Sequence, residues 1–92
     1  MIRSLKGRGL KRFYSSGDRS GIGADLVDTV ERILSALNSA LTPQELNLPR
    51  YRLHALKGDR AGYWSVTVRA NWRIIFRFEE GDAWDVELID YH

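Results

Sequence analysis

Two histidines, His54 and His92, are the first residues to weigh for chemistry in this chain. The second closes the run Asp90-Tyr91-His92, which sets an acid, a phenol and an imidazole side by side. An imidazole with an unperturbed pKa of about 6.5 populates both protonation states near neutrality, so a pair of them can act as base and acid in one reaction. The chain has no cysteine, which removes thiolate nucleophiles, disulfides and Cys-based zinc sites. His54, Asp90 and His92 are possible zinc ligands, but no helical H-x-x-x-H or H-x-E spacing supports a metal site, and no cofactor is expected. By themselves, one histidine in a strand and another at a chain end read as ordinary surface residues.

The elements that must position these groups begin at Tyr51, where the hydrophobic period becomes strand-like. Tyr51 to Leu56 reads as short and extended, and residues 57–62 as a turn. Tyr63 to Arg69 alternates, with Val66 and Val68 on one side and Ser65 and Thr67 on the other. Ala70-Asn71 suits a tight turn. Trp72 to Glu79 is apolar at Trp72, Ile74, Phe76 and Phe78 and again at Ile75, the pattern of a central strand covered on both faces. Glu80-Gly81-Asp82 turns the chain into a last strand, Ala83 to Tyr91. With a two-residue turn at Gly81-Asp82, Arg73 falls opposite Asp90 and Arg77 opposite Val86, so Arg73, Arg77 and Asp90 are expected to project to one side.

Upstream, Met1 to Leu5 alternates like a short strand, and Lys6 to Tyr14 has a brief helical pattern weakened by Gly7 and Gly9. The Ser/Gly-rich segment 15–21 has neither a Gly-Lys-Ser/Thr sequence nor G-x-G-x-x-G spacing, so it reads as a connector. Ile22 to Leu41 is the clearest helix, with Ile22, Leu26, Val30, Ile33, Leu37 and Leu41 at steps of three and four. Thr42-Pro43-Gln44-Glu45 is a capping box opening one further turn. The fold class expected is α+β, with two helices packed on one face of an antiparallel, meander-rich sheet.

Ninety-two residues make one domain, residues 1–92, with a single modest core. A hydrophobic share of 43% and a charged share of 28% are ordinary for a globular chain. No run suits a signal peptide or membrane helix, so a cytoplasmic protein with no membrane partner is expected. The net charge of +2 hides blocks: +5 over residues 1–20, −3 over 21–48, +6 over 49–77 and −6 over 78–92. Two basic blocks raise a polyanion as a partner, although charge laid out in segments also describes a solvated surface. The acidic last strand pairs with the basic residues or meets a partner.

The residues Arg52-Leu53-His54-Ala55-Leu56-Lys57-Gly58-Asp59-Arg60, Gly62-Tyr63-Trp64-Ser65, Asn71-Trp72-Arg73-Ile74, Gly81-Asp82-Ala83-Trp84-Asp85-Val86 and Asp90-Tyr91-His92 resemble the HigB-type toxins. These are the proteic killer members of the RelE/ParE superfamily of toxin–antitoxin modules. Ile2-Arg3-Ser4, Ala24-Asp25-Leu26 and Leu46-Asn47-Leu48-Pro49 fit as well, and the likeness is weakest from Lys6 to Gly23. The resemblance implies a RelE/ParE-like fold and a ribosome-dependent mRNA endonuclease that cuts the codon in the ribosomal A site. It also implies a helix-turn-helix antitoxin of the HigA type, with operator DNA bound only through the antitoxin complex. The family's catalytic positions fall on His54, Asp90, Tyr91 and His92, and its phosphate-holding positions on Lys57 and Arg73. Arg60 is a further phosphate candidate, ranked behind Lys57, which lies three residues from His54.

That activity suits these residue types. In metal-free RNA cleavage a base takes the proton of the 2′-hydroxyl, a cation stabilises the phosphorane, and an acid protonates the leaving 5′-oxygen. His54 and His92 can share the two proton transfers, Arg73 can clamp phosphate oxygens, and Asp90 can orient an imidazole or hold Arg73. Tyr91 can stack on a base. Trp64, Trp72 and Trp84 read as packing residues, and Arg69 and Arg77 as surface or RNA-tracking ones. Two alternatives belong to other classes: a non-enzymatic gyrase inhibitor resembling the ParE branch, and a decayed toxin acting only with its antitoxin as repressor.

Overall fold

The computed structural model describes residues 1–91 of the chain. Helix α1 spans Arg8–Ser16 and helix α2 Val27–Ser39; strands β1 to β4 span His54–Ala55, Tyr63–Arg69, Trp72–Glu79 and Asp82–Asp90. The strands pair in the order β1-β2-β3-β4, each antiparallel to its neighbour. The N-terminal segment adds to the far edge, running parallel to β4 through bridges at Ile2–Ala83 and Leu5–Val86. This is the α+β arrangement expected, including the short alternating segment before α1.

The core explains which face the helices cover. Val30, Ile33 and Leu37 of α2 are fully buried, as are Val66, Ile74, Phe76, Ala83 and Val86 of the sheet, and Leu10 and Phe13 bring α1 into the same cluster. Val66, Ile74 and Phe76 alternate along β2 and β3, so one pleat face takes the whole helical layer. The opposite face carries Tyr63, Ser65 and Thr67 of β2 against Arg77, Ile75 and Arg73 of β3. Ile75 and Ser65 are nevertheless buried there, as the two-sided apolar pattern of β3 requires.

Helix boundaries depart from the periodic pattern at the N-terminal ends. α1 starts at Arg8, behind Gly7 at φ 88°, and closes at left-handed Gly17, whose N–H donates to the Phe13 carbonyl at 2.9 Å. α2 begins five residues later than its apolar stripe, because Ile22 to Leu26 form successive turns, with the Leu26 N–H on the Gly23 carbonyl at 2.8 Å. Those turns lie against α1 backbone to backbone. A Cβ on Gly9 would fall 2.6 Å from the Gly21 oxygen, and one on Gly21 would fall 2.5 Å from the Gly9 Cα. Gly21→Ala therefore forces the backbones apart and costs about 1–3 kcal/mol of stability, measurable as a lower urea midpoint at unchanged slope.

After α2, Thr42 and Glu45 form the expected capping box around a single 3-10 turn, Pro43–Leu46. The β3–β4 hairpin closes through Glu80 and Gly81, at φ 52° and 80°, with Glu79 opposite Asp82. This turn sits one residue earlier than expected, since glycine takes the second left-handed position of a tight hairpin.

Candidate active site on the open sheet face

β1 is only two residues long, and its placement comes from what precedes it. Tyr51 is buried, its carbonyl accepts the Thr67 N–H at 2.7 Å, and Arg52 takes a left-handed φ of 48° that turns the chain onto the sheet edge. His54 then pairs with Ser65, which pairs with Ile75, which pairs with Glu87. These four form one row on the open face. The exposed His54 ring lies with Nδ1 at 3.0 Å from the Arg52 carbonyl oxygen. Arg73 sits in the next row, between Thr67 and Ile89. Two strand spacings and one pleat separate it from His54, about 12 Å between Cα atoms, a gap two side chains can span around a phosphodiester.

The expected partnership of Arg73 with Asp90 is not what forms. Asp90 lies opposite Trp72, and Arg73 opposite Ile89, so the pleat sends Arg73 and Asp90 to opposite sides. The reason is a bulge in β4 between the pairs Arg77–Trp84 and Ile75–Glu87. Moving the turn alone by one residue shifts the pairing by two and preserves the faces. The extra residue at the bulge reverses them. Asp85 carries the bulge at φ 53°; it accepts from Arg77 Nε at 2.9 Å and from the Ser4 hydroxyl, and its N–H donates to Ser4 Oγ at 2.7 Å. Beyond it, the Tyr91 N–H continues the ladder to the Asn71 carbonyl at 2.7 Å, so alternation puts Tyr91 with Ile89 on the open face. The Arg73 guanidinium is tied instead to the β2–β3 turn, through the Ala70 carbonyl at 2.6 Å.

Arg60 is better placed than its sequence ranking. The 3-10 turn Gly58–Arg60 joins β1 to β2, and Arg60, Ile89, Asp90 and Tyr91 together line an open recess of about 310 Å³. The structure thus brings Arg60, Asp90 and Tyr91 together. Lys57, at the start of the same turn, is exposed and is not among the residues lining that recess. His92 lies outside the described residues. Ser65, Ile89 and the bulge residue Asp85 were not candidates from sequence, because cross-strand neighbours depend on register; an acid flanked by strand-forming residues is the one signal that marks Asp85.

The acidic last strand pairs internally at Asp82 and Asp85. Asp82 meets Arg3 Nε at 3.0 Å and the α-amino group of Met1 at 3.1 Å, and Arg77 bridges Asp85 and Glu79. The Arg3 hydrogen bond, then that of the amino group, holds the Asp82 carboxyl below the ordinary aspartate range. A depressed folded pKa stabilises the fold above the unfolded value and is lost as pH falls through the folded one. Asp82→Asn therefore melts below the wild type at pH 7, and the gap narrows below about pH 4, in paired thermal melts across pH.

The profile of the HigB-like toxins, described as RelE-like toxins of type II toxin–antitoxin systems, matches residues 3–92. The chain belongs to the HigB-like toxin family. It is 51% identical over 92 residues, covering all of both chains, to the endoribonuclease HigB of Proteus vulgaris. Among solved structures, YafQ from E. coli strain BL21(DE3) overlays with a TM-score of 0.60 at 17% identity, over 95% of this chain and 89% of that one. A YoeB/ParE toxin from Agrobacterium tumefaciens gives 0.59 at 18% identity, over 100% and 99%. At such identities the structures speak for the fold alone. For this HigB-like toxin they agree with the RelE/ParE-like arrangement expected from its motifs.

Proposed function

We propose that this chain, an endoribonuclease toxin of the HigB-like family, cuts messenger RNA in the ribosomal A site by attack of the substrate's own 2′-hydroxyl. The observation that carries the reading is the half-identity with an endoribonuclease along the entire chain, which spans every residue of the site. Consistent with it, the site exposes an imidazole and guanidinium groups, which suit proton transfer and charge stabilisation in phosphodiester cleavage, beside a phenol that can stack on a base. His54 and His92 share the proton transfers. Arg73, Lys57 and Arg60 hold phosphate oxygens, with Arg60 acting where Asp90 and Tyr91 meet it. Tyr91, 45% exposed, stacks on an unstacked base. Asp90 supports the C-terminal groups. A helix-turn-helix antitoxin of the HigA type neutralises the toxin, and the pair binds operator DNA through the antitoxin. The reaction belongs to the cytoplasm, where ribosomes work; among the described residues no helix is long and apolar enough to cross a membrane.

Primer extension on a translated mRNA, with purified protein and ribosomes, tests this against a variant lacking His92. Cuts within codons that need ribosomes and vanish in the variant are the expected result. Growth arrest without cuts, accompanied by trapped gyrase–DNA complexes, would transfer the chain to the ParE-like inhibitor class.

A further inference from the structure

The orientation of the His54 ring comes from the backbone two residues before it. Nδ1 stands 3.0 Å from the Arg52 carbonyl oxygen. A carbonyl oxygen only accepts, so Nδ1 carries a proton in this contact whether the ring is neutral or charged. In the neutral ring, the free lone pair is then on Nε2. The carbonyl is aimed at the ring because Arg52 is left-handed, at φ 48°, a conformation uncommon for a residue with a side chain. Bonds on both sides hold it there. The Tyr51 carbonyl accepts the Thr67 N–H at 2.7 Å, the Arg52 N–H reaches the Leu48 carbonyl at 3.3 Å, and His54 is in register with Ser65. Local strain that neighbouring contacts maintain this firmly accumulates at sites where it serves a task.

We propose that Arg52 is a positioning residue that acts through its main chain: its carbonyl locks His54 in the Nδ1–H tautomer and makes Nε2 the base of the cleavage step. The inference rests on the RNA-cleaving reading above and deepens it by separating the roles of the two imidazoles. Nε2 takes the proton of the 2′-hydroxyl, the 2′-oxygen bonds to phosphorus, and the bond from phosphorus to the 5′-oxygen breaks. The leaving oxygen is protonated by a second group, a role that falls to His92. The products are a 2′,3′-cyclic phosphate and a 5′-hydroxyl, and His54 later returns its proton to solvent. During the step the ring becomes an imidazolium whose Nδ1–H still donates to Arg52, now in a charge-assisted bond. One contact thus sets the tautomer and stays in place through the step.

Long-range proton–nitrogen NMR of the His54 ring in the full chain, at a pH where the ring is neutral, reads the tautomer directly. Arg52→Gly accepts the left-handed backbone and Arg52→Val resists it; both lose the same guanidinium, so their difference isolates the main chain. The expected result is the Nδ1–H tautomer in the wild type and in Arg52→Gly, a mixture in Arg52→Val, and a kcat about 10-fold lower in Arg52→Val than in Arg52→Gly at similar KM. An Nε2–H tautomer in the wild type overturns the lock, and does so even where Arg52→Val fails to fold. If that ring is unlocked while cleavage still needs His54, the endoribonuclease reading stands and the Arg52 inference fails. A locked ring in a chain whose His54→Ala variant cuts RNA at the wild-type rate overturns the base assignment.

Discussion

If His54 carries the proton transfer proposed for it, alanine there is expected to lower the rate of RNA cleavage by about 10²- to 10⁴-fold, the usual contribution of a positioned acid or base. The loss falls on kcat. The ring is exposed and packs into no core cluster, so truncation changes stability by no more than about 0.5 kcal/mol, and a thermal melt separates inactivity from unfolding. On the proposed reading, ribosome binding would rest on cations spread over the chain, so KM is expected to stay close to the wild type. Removing His92 as well adds far less than a second factor of this size. Groups that act in one proton relay are strongly non-additive, since without one partner the other has little left to do. Single-turnover cleavage of ribosome-bound mRNA by the two single variants and the double variant measures this. Equal and independent factors would place the two imidazoles in separate events.

Valine at Asp85 is expected to damage both stability and activity. A β-branched residue in the left-handed region costs about 1–2 kcal/mol, which lowers the melting temperature of a domain this size by about 5–15 °C. The substitution also removes the acceptor of Arg77 and Ser4, leaving Arg77 with Glu79. The larger consequence is geometric. Without the bulge, every β4 residue beyond position 85 exchanges faces relative to β3: Leu88 leaves the core side, and Ile89 and Tyr91 leave the open one. Asp85→Gly keeps the backbone and loses only the side-chain bonds, so it retains most of its cleavage activity while melting lower. Contacts between the β3 and β4 backbones in NMR spectra report the register directly. An Asp85→Val chain that keeps the Arg73–Ile89 pairing would show that the bulge is set elsewhere, by the hairpin turn or by the N-terminal segment.

The N-terminal segment has a part in this register that its composition hides. Ser4 receives the Asp85 N–H, Arg3 pairs with Asp82, and the Lys6 N–H donates to the Val86 carbonyl at 2.8 Å. The first six residues therefore clamp β4 on both sides of its bulge. This accounts for the acidic strand beside a basic N-terminus: much of the charge separation along the chain is internal pairing, and the basic block of residues 49–77 takes part in it through Arg77 with Asp85 and Glu79 and through Arg69 with Asp25 at 3.7 Å, while Lys57 and Arg60 stay exposed.

The sequence by itself determined the class of fold, the strand runs, the capping box and the residue types of the site, because these depend on hydrophobic period and local chemistry. Val66, Ile74 and Phe76 could face only a core, and Thr42 with Glu45 could only begin a turn. Helix starts were less legible. The stripe from Ile22 continues the helical period, yet the contact between Gly9 and Gly21 favours turns, and a backbone contact between distant glycines leaves no periodic trace. The faces of β4 were decided by tertiary structure alone. One left-handed residue at Asp85 costs little locally and reverses the sheet faces beyond it, and it is held there by Ser4 and Arg77, residues 81 and 8 positions away. The same holds for Arg60, whose meeting with Tyr91 depends on how the turn before β2 lies over the sheet. Periodicity reports which side of a strand is apolar; which polar groups end up together is set by register, and register is a property of the whole fold.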